Sequence, residues 1–313
     1  MTTYSPALEA QAIYSADGAR LSVETAGHPM LPAVVFIPDS LSLQTKECWD
    51  HQFLASSLPR EYYLVRYDPR GSGDSSQPDC RADYSGARRA YDLHTVLTGL
   101  QIRQAVLVGS GWGGFVITEY LRHFGGAELV AGAAFVGAVT EISNRWRHLT
   151  HLNTIQSWIK QLSLTSAYGR PGHARYSQHI ETLQEFVRTL YWQLPDQFTY
   201  NQAVANALKT PSYVIRTLLD QAEKTDSIPV LEEMDVPVLS LQGENDPFVQ
   251  TRYSNFISSH TADSRSRIYR QVGHCPYQET AQFNRDLRTF LQQVYRPEQV
   301  DSGLFPTQRS VAS

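Results

Sequence analysis

The stretch AVLVGSGWGGF, Ala105 to Phe115, decides the reading of this 313-residue chain. Its first half is a short, continuous apolar run of strand length. The following GFVITEYLRHFGG reads as a helix with Gly125-Gly126 as its stop signal. Between the two halves the chain must turn sharply, and glycine stands at positions 109, 111 and 113 of that turn.

The same rhythm extends in both directions. LSVETAG, ending at Gly27, reads as an early strand, and PAVVFI (Pro32 to Ile37) and YYLVRYD (Tyr62 to Asp68) read as buried strands. RRAYDLHTVLTGL puts Ala90, Leu93, Val96, Leu97 and Leu100 on one helical face. QAVLVG and LVAGAAFVGAV are further strands. Strands and helices alternate to about Val139, which argues a mostly parallel sheet flanked by helices. From 140 to 227 the pattern becomes helical and rich in large aromatics, among them Trp146, Trp158, Tyr168, Phe186 and Trp192. The α/β rhythm resumes with VPVLSLQG, SRIYRQVG and the helix AQFNRDLRTFLQQV. The expected division is a core of 1–139 and 228–296, a helical insertion of 140–227, and a loose tail of 297–313.

Composition limits the function classes. Hydrophobic residues make up 42% and charged residues 19%, which suits a globular chain with a sizeable core. A net charge of -4 gives no reason to expect nucleic acid or an anionic membrane as partner. No apolar run approaches the roughly 20 residues that span a bilayer. The N-terminus lacks the basic and apolar regions of a secretory signal. Cys48, Cys80 and Cys275 are scattered and odd in number, which fits a reducing, cytoplasmic setting. No Cys/His cluster has metal-ligand spacing, so neither metal nor cofactor is expected. The expected partner is a small-molecule substrate, and the oligomeric state is left open, a dimer included.

Four segments, in order, make the chain resemble the α/β-hydrolase superfamily. RYDPRGSGDSS carries Asp68, Arg70, Gly71, Gly73 and Ser75 after a strand. The second segment is the turn around Gly111. LSLQGENDPFV follows a strand with Gly243 and Asp246, and QVGHCPYQE follows another with Gly273 and His274. Each is weak alone; the order elbow, acid, histidine, each after a strand, is specific. YLRHFGGAELVAGAAFVGAVT is most similar to haloperoxidase-like and small-ester hydrolase members. The resemblance implies an α/β-hydrolase fold with the helical insertion as its cap, and a catalytic pair of His274 and Asp246.

One part departs from the pattern. In Gly-x-Ser-x-Gly the small residues stand two places either side of the nucleophile, because the turn is tight. Centred on Gly111 those places are Gly109 and Gly113; centred on Ser110 they are Val108 and Trp112. The nucleophile position is therefore Gly111, and Ser110 is its neighbour. The other half of the oxyanion hole follows VVFI, where the chain reads Pro38-Asp39-Ser40. Asp39 either faces the site, where its charge opposes an oxyanion, or points out and makes a turn with Ser40. The backbone N–H of Trp112 is expected to remain able to bind a substrate oxygen. Trp146, Trp158 and Trp192 are candidates to line an apolar pocket above the site.

Three functions fit these residues. The first is an enzyme without a covalent serine step, in which His274, steadied by Asp246 and complemented by Asp39, performs general acid–base chemistry on a small, mostly apolar, carbonyl-bearing substrate such as a secondary metabolite. Isomerisation, elimination, cyclisation, carbon–carbon cleavage or direct attack by water all belong to this class. The second is a serine ester or lactone hydrolase inactivated by glycine at 111. The third is a non-catalytic small-molecule binding protein.

Overall fold

The computed structural model describes residues 7–126, 128–141, 146–165, 172–220 and 225–295. Its eight strands are β1 (Glu9–Tyr14), β2 (Arg20–Ala26), β3 (Ala33–Ile37), β4 (Tyr63–Tyr67), β5 (Ala105–Ser110), β6 (Val130–Val136), β7 (Val238–Gly243) and β8 (Ser264–Tyr269). They form one sheet in the order β1-β2-β4-β3-β5-β6-β7-β8. β2 pairs antiparallel with β1 and β4; every other pairing is parallel. Every residue of β3, β4 and β5 is buried, which is why these strands read as nearly continuous apolar runs rather than as alternation; Arg66 of β4 is the charged exception, paired with Glu24 and Asp50.

Helices cover the sheet. α1 (Asp50–Phe53) lies between β3 and β4, α2 (Gly86–Gly99) between β4 and β5, and α3 (Trp112–Phe124) between β5 and β6. Ala90, Leu93, Val96 and Leu97 of α2 are buried as their spacing predicts, and Ser85 caps the helix by accepting the Arg88 N–H. α3 ends at Gly125, whose φ of 80° lets its N–H return to the Leu121 carbonyl.

The stretch between β6 and β7 holds α4 (Trp146–Leu149), α5 (Leu152–Thr165), α6 (Tyr176–Thr189), α7 (Gln197–Ala207), α8 (Ser212–Asp220) and α9 (Ile228–Glu232). α5 packs on α6 and α8, and α6 on α7. α10 (Arg252–Ser259) joins β7 to β8, and α11 (Pro276–Glu279) and α12 (Ala281–Tyr295) follow β8. Among the described residues no helix is long and apolar enough to cross a membrane.

Two features differ from the sequence expectation. β1 was not foreseen: it is an antiparallel edge strand with mostly exposed residues, so it lacks a buried periodicity to read. β8 starts earlier than expected and stops at Tyr269, leaving a loop before Gly273 and His274. The expected tail of 297–313, and Tyr168, lie outside the described residues.

Candidate active site

The carboxyl ends of β3, β5, β7 and β8 converge, as ligand sites do in open α/β sheets. At the end of β5, Gly111 adopts φ 48° and ψ -113°, a conformation that L side chains rarely take. Its neighbours are as crowded as the spacing required. A Cβ on Gly109 would lie 2.5 Å from the carbonyl carbon of Gly113, and one on Gly113 would lie 2.5 Å from the Ile37 oxygen. Ser110 is fully buried, and its Oγ stands 3.5 Å from Gln44 Oε1.

The position at Gly111 is not empty. A Cβ built there would stand 2.1 Å from Asp39 Oδ2 and 2.3 Å from Asp39 Cγ. The Asp39 carboxylate thus fills the space into which a side chain at 111 would project. It arrives from the end of β3 and caps the short helical turn Ser40–Ser42. Asp39 Oδ1 accepts the N–H of Leu41 at 3.0 Å and the N–H of Trp112 at 3.0 Å. Asp39 Oδ2 accepts the Ser42 hydroxyl at 2.6 Å and lies 3.0 Å from His274 Nε2. Asp39 faces the site rather than pointing out, and it does so while capping the turn that starts at Ser40.

His274 stands between two acids. Its Nδ1 is 2.9 Å from Asp246 Oδ2, while Asp246 Oδ1 accepts the N–H groups of Phe248 and Val249 at 2.8 and 3.0 Å. The backbone N–H of His274 donates to the Leu190 carbonyl at 2.7 Å, tying the histidine loop to the segment after α6. Ionised carboxylates only accept hydrogen bonds, so a ring bonded to one at each nitrogen donates from both and is an imidazolium. Burial opposes that charge, but Asp246 and Asp39 outweigh it and hold the His274 pKa up at about 10. Burial also pushes the Asp39 carboxyl upward, yet His274, Ser42 and the Trp112 N–H together hold it below the usual carboxylate value. One cation between two anions leaves the centre with a net charge of about -1.

Above this centre lies a cavity that opens toward solvent. Asp39, Ser42 and His274 are its polar lining; Trp112, Ile155, Trp158, Leu162, Phe186 and Phe248 supply most of the apolar wall. The α5 contribution follows helical spacing through Ile155, Trp158, Ile159 and Leu162.

The expected site residues therefore divide. Asp39, Gly111, Trp112 and His274 line the cavity, with Asp246 behind His274. Trp158 lines it too, edge-on to Phe186 at 5.6 Å between ring centres. Three expectations need correction. The Trp112 N–H is not open to a substrate oxygen, because Asp39 occupies it. Ser40 turns its hydroxyl to Arg89 Nη1 at 3.2 Å instead of joining an oxyanion hole. Trp192 does not line the cavity: Glu279 Oε2 holds its backbone N–H at 2.8 Å, and the residue is 54% exposed. The side chain of Trp146 lies outside the described residues.

Ser42 and Phe248 were missed. Ser42 falls three residues after Asp39, the spacing of a cap and its partner, and that signal was available. Phe248, whose ring meets His274 edge-on at 5.4 Å, had no local signature. Cys275 is buried and accepts from Gln44 Nε2 at 3.1 Å; burial pushes its thiol well up, away from nucleophilic character.

The chain belongs to the α/β-hydrolase fold family, whose model, described as alpha/beta hydrolase fold, matches residues 37–281. It is 28% identical over 257 residues to the "Probable oxidoreductase EphD" of Mycobacterium tuberculosis, covering 75% of this chain and 41% of that protein. The chain thus spans about two fifths of the length of that relative. It is 27% identical over 264 residues to the non-heme haloperoxidase of Rhodococcus erythropolis, covering 78% of this chain and 87% of that one. The crystal structure of the esterase RhEst1 from Rhodococcus sp. ECU1013 superposes with a TM-score of 0.79 at 24% identity, covering 91% of this chain and 99% of that chain, and shares its fold. These relatives all bear the names of enzymes.

Proposed function

We propose that this chain is an acid–base enzyme without a covalent serine step, acting on a small, neutral, mostly apolar carbonyl compound. The observation that carries this reading is the Asp39 carboxylate, which stands where a side chain at 111 would project and is 3.0 Å from His274 Nε2. It puts a base and an acid side by side on the floor of one cavity. In this reading the substrate carbonyl oxygen displaces Asp39 Oδ2 from His274 Nε2 and takes its proton, while the released Asp39 carboxylate takes a proton from the carbon next to that carbonyl. Passage of the proton from Asp39 Oδ2 to His274 Nε2 then resets the pair. Asp246 fixes the ring and steadies its charge. The net result is relocation of a proton from carbon to oxygen, giving an enol; return of the proton to a different carbon completes an isomerisation, and no water is consumed.

A serine hydrolase inactivated at one position is the weaker reading. Restoring a serine at 111 would drive its Cβ into Asp39, and the Trp112 N–H that would bind an oxyanion is already satisfied. The free cysteines, with Cys48 and Cys275 buried, support a reducing, cytoplasmic setting.

The test uses the full chain in D₂O with a panel of apolar ketones, esters and lactones, read by mass spectrometry and NMR. Deuterium should enter next to the carbonyl, without release of acid or alcohol, and the incorporation should fall at least about 100-fold in His274→Ala and Asp39→Asn. Hydrolysis without exchange, or exchange unchanged in both variants, would sink the proposal. A pure binding protein would return every compound unlabelled.

A further inference from the structure

A second cavity lies between the Ser42–His51 segment and helices α6 and α7. Ser42 lines both cavities, and its hydroxyl is bonded to Asp39 in the first. On α6 the neighbours Phe186 and Val187 divide likewise, one facing each cavity. The two spaces therefore border one another at Ser42 and along α6.

The chemistry of the second cavity differs from that of the first. Its carboxylates are already compensated: Glu47 pairs with Lys46 at 3.0 Å and with Lys209 at 3.8 Å, and Asp50 with Arg66 at 2.6 Å. Several of its polar side chains are also committed. Gln44 takes the Tyr277 hydroxyl and donates to Cys275, and Gln278 takes the Tyr191 hydroxyl and donates to the Cys48 carbonyl. The amides left over are Asn206 and Gln202 of α7. Asn206 is only 8% exposed, lines the cavity, and among the described residues its amide has no hydrogen-bond partner. The amide of a mostly buried residue that faces the cavity, with no protein partner among the described residues, is free to bond a ligand placed there.

We propose that the second cavity is a binding compartment for a neutral, hydroxyl- or amide-bearing group, joined past Ser42 to the apolar portion that fills the first cavity. Asn206 and Gln202 supply its donors and acceptors, and Leu43, Val187 and Leu190 its apolar wall. The ligand is thus amphiphilic, with its reacting end over Asp39 and His274. That choice of end rests on the acid–base reading; the binding itself does not.

Calorimetric titration of the full chain with 1-hexanol, hexyl β-D-glucoside and hexylammonium tests this without reference to turnover. The glucoside should bind at least about tenfold more tightly than hexanol, the equivalent of 1.4 kcal/mol. Asn206→Leu should abolish that preference and leave hexanol affinity unchanged. Gln202→Leu, at an exposed position, should reduce it several-fold without disturbing the fold. Equal affinity for glucoside and hexanol, tighter binding of hexylammonium than of glucoside, no glucoside binding, or a preference that survives both substitutions would each overturn the proposal. Failure here with intact deuterium exchange would remove the second compartment alone; loss of exchange with intact glucoside preference would remove the acid–base reading alone.

Discussion

Asp39 and Asp68 are built alike and put to different uses. Each follows one of the adjacent parallel strands β3 and β4, and each is buried. Each crowds a glycine of positive φ: a Cβ on Gly111 would meet Asp39 at 2.1 Å, and one on Gly73 would meet Asp68 at 2.3 Å. Asp68 accepts the N–H groups of Lys46 and Asp74, at 2.8 and 2.9 Å, and pairs with Lys46 Nζ at 2.9 Å. Glu47 and Asp74 complete an acidic trio whose geometry would suit a metal ion, but an ammonium stands among them, with Lys46 Nζ also 3.0 Å from Glu47 and 3.3 Å from Asp74. Asp39 instead meets an imidazolium at the floor of a cavity. A buried lysine held among acids, with Asp68 fully buried, fixes two turns together. A histidine and acid facing open space can exchange protons with something placed there.

The largest effect that would separate the two is on stability. Burial opposes the charge on Lys46, but Asp68 and Glu47 outweigh it and hold its ammonium above the ordinary lysine value. Lys46→Met should leave Asp68 buried without its counter-charge and cost about 3–5 kcal/mol in urea unfolding at neutral pH. Asp39→Asn, which still accepts a hydrogen bond, should cost far less stability while removing deuterium exchange. Equal losses from both substitutions would erase the distinction.

Next in size is the pH dependence. The unfolded chain's histidine titrates near its ordinary value of about 6.5, and the folded His274 at about 10. The folded value is the higher, so the imidazolium contributes its full stability below about pH 6.5 and loses it as pH rises through about 10. Urea unfolding at steps from pH 6 to pH 10 should show that decline in the wild type and a flatter profile in His274→Gln. A wild-type profile as flat as the variant's would mean that the ring is not held between two charged carboxylates.

Much of this was legible in the sequence, and the failures have physical causes. Gly111 could be found because a tight turn restricts its neighbours, and that restriction shows as glycine at 109 and 113. Asp246 and His274 could be found because each follows a strand end in fixed order. The orientation of Asp39 could not, because a carboxylate has two oxygens and here spends one on backbone N–H groups and the other on His274 and Ser42. Trp192 was misplaced because a large aromatic says only that some surface is apolar, while its position is set by Glu279, which takes the N–H groups of Trp192, Gln193 and Gly273. The second cavity left no trace, since its amides are ordinary surface-type residues until α7 folds over the Ser42–His51 segment.

The smallest effect in free energy bears most directly on the elbow. Gly111→Ser places a side chain at φ 48° and ψ -113° and drives its Cβ against Asp39. The strain should cost about 1–3 kcal/mol. The variant should not react with a fluorophosphonate, because Asp39 still blocks both the Trp112 N–H and His274 Nε2. The double variant Gly111→Ser, Asp39→Gly removes the blocking carboxylate, frees that N–H, and leaves the new hydroxyl beside a histidine still paired with Asp246. It should react where the single variant does not. Labelling of the single variant at position 111 would mean that Asp39 yields its place readily, and would move the chain back toward a serine hydrolase lacking one hydroxyl. Labelling of the double variant alone would mean that Asp39, more than the missing serine, separates this site from a hydrolytic one.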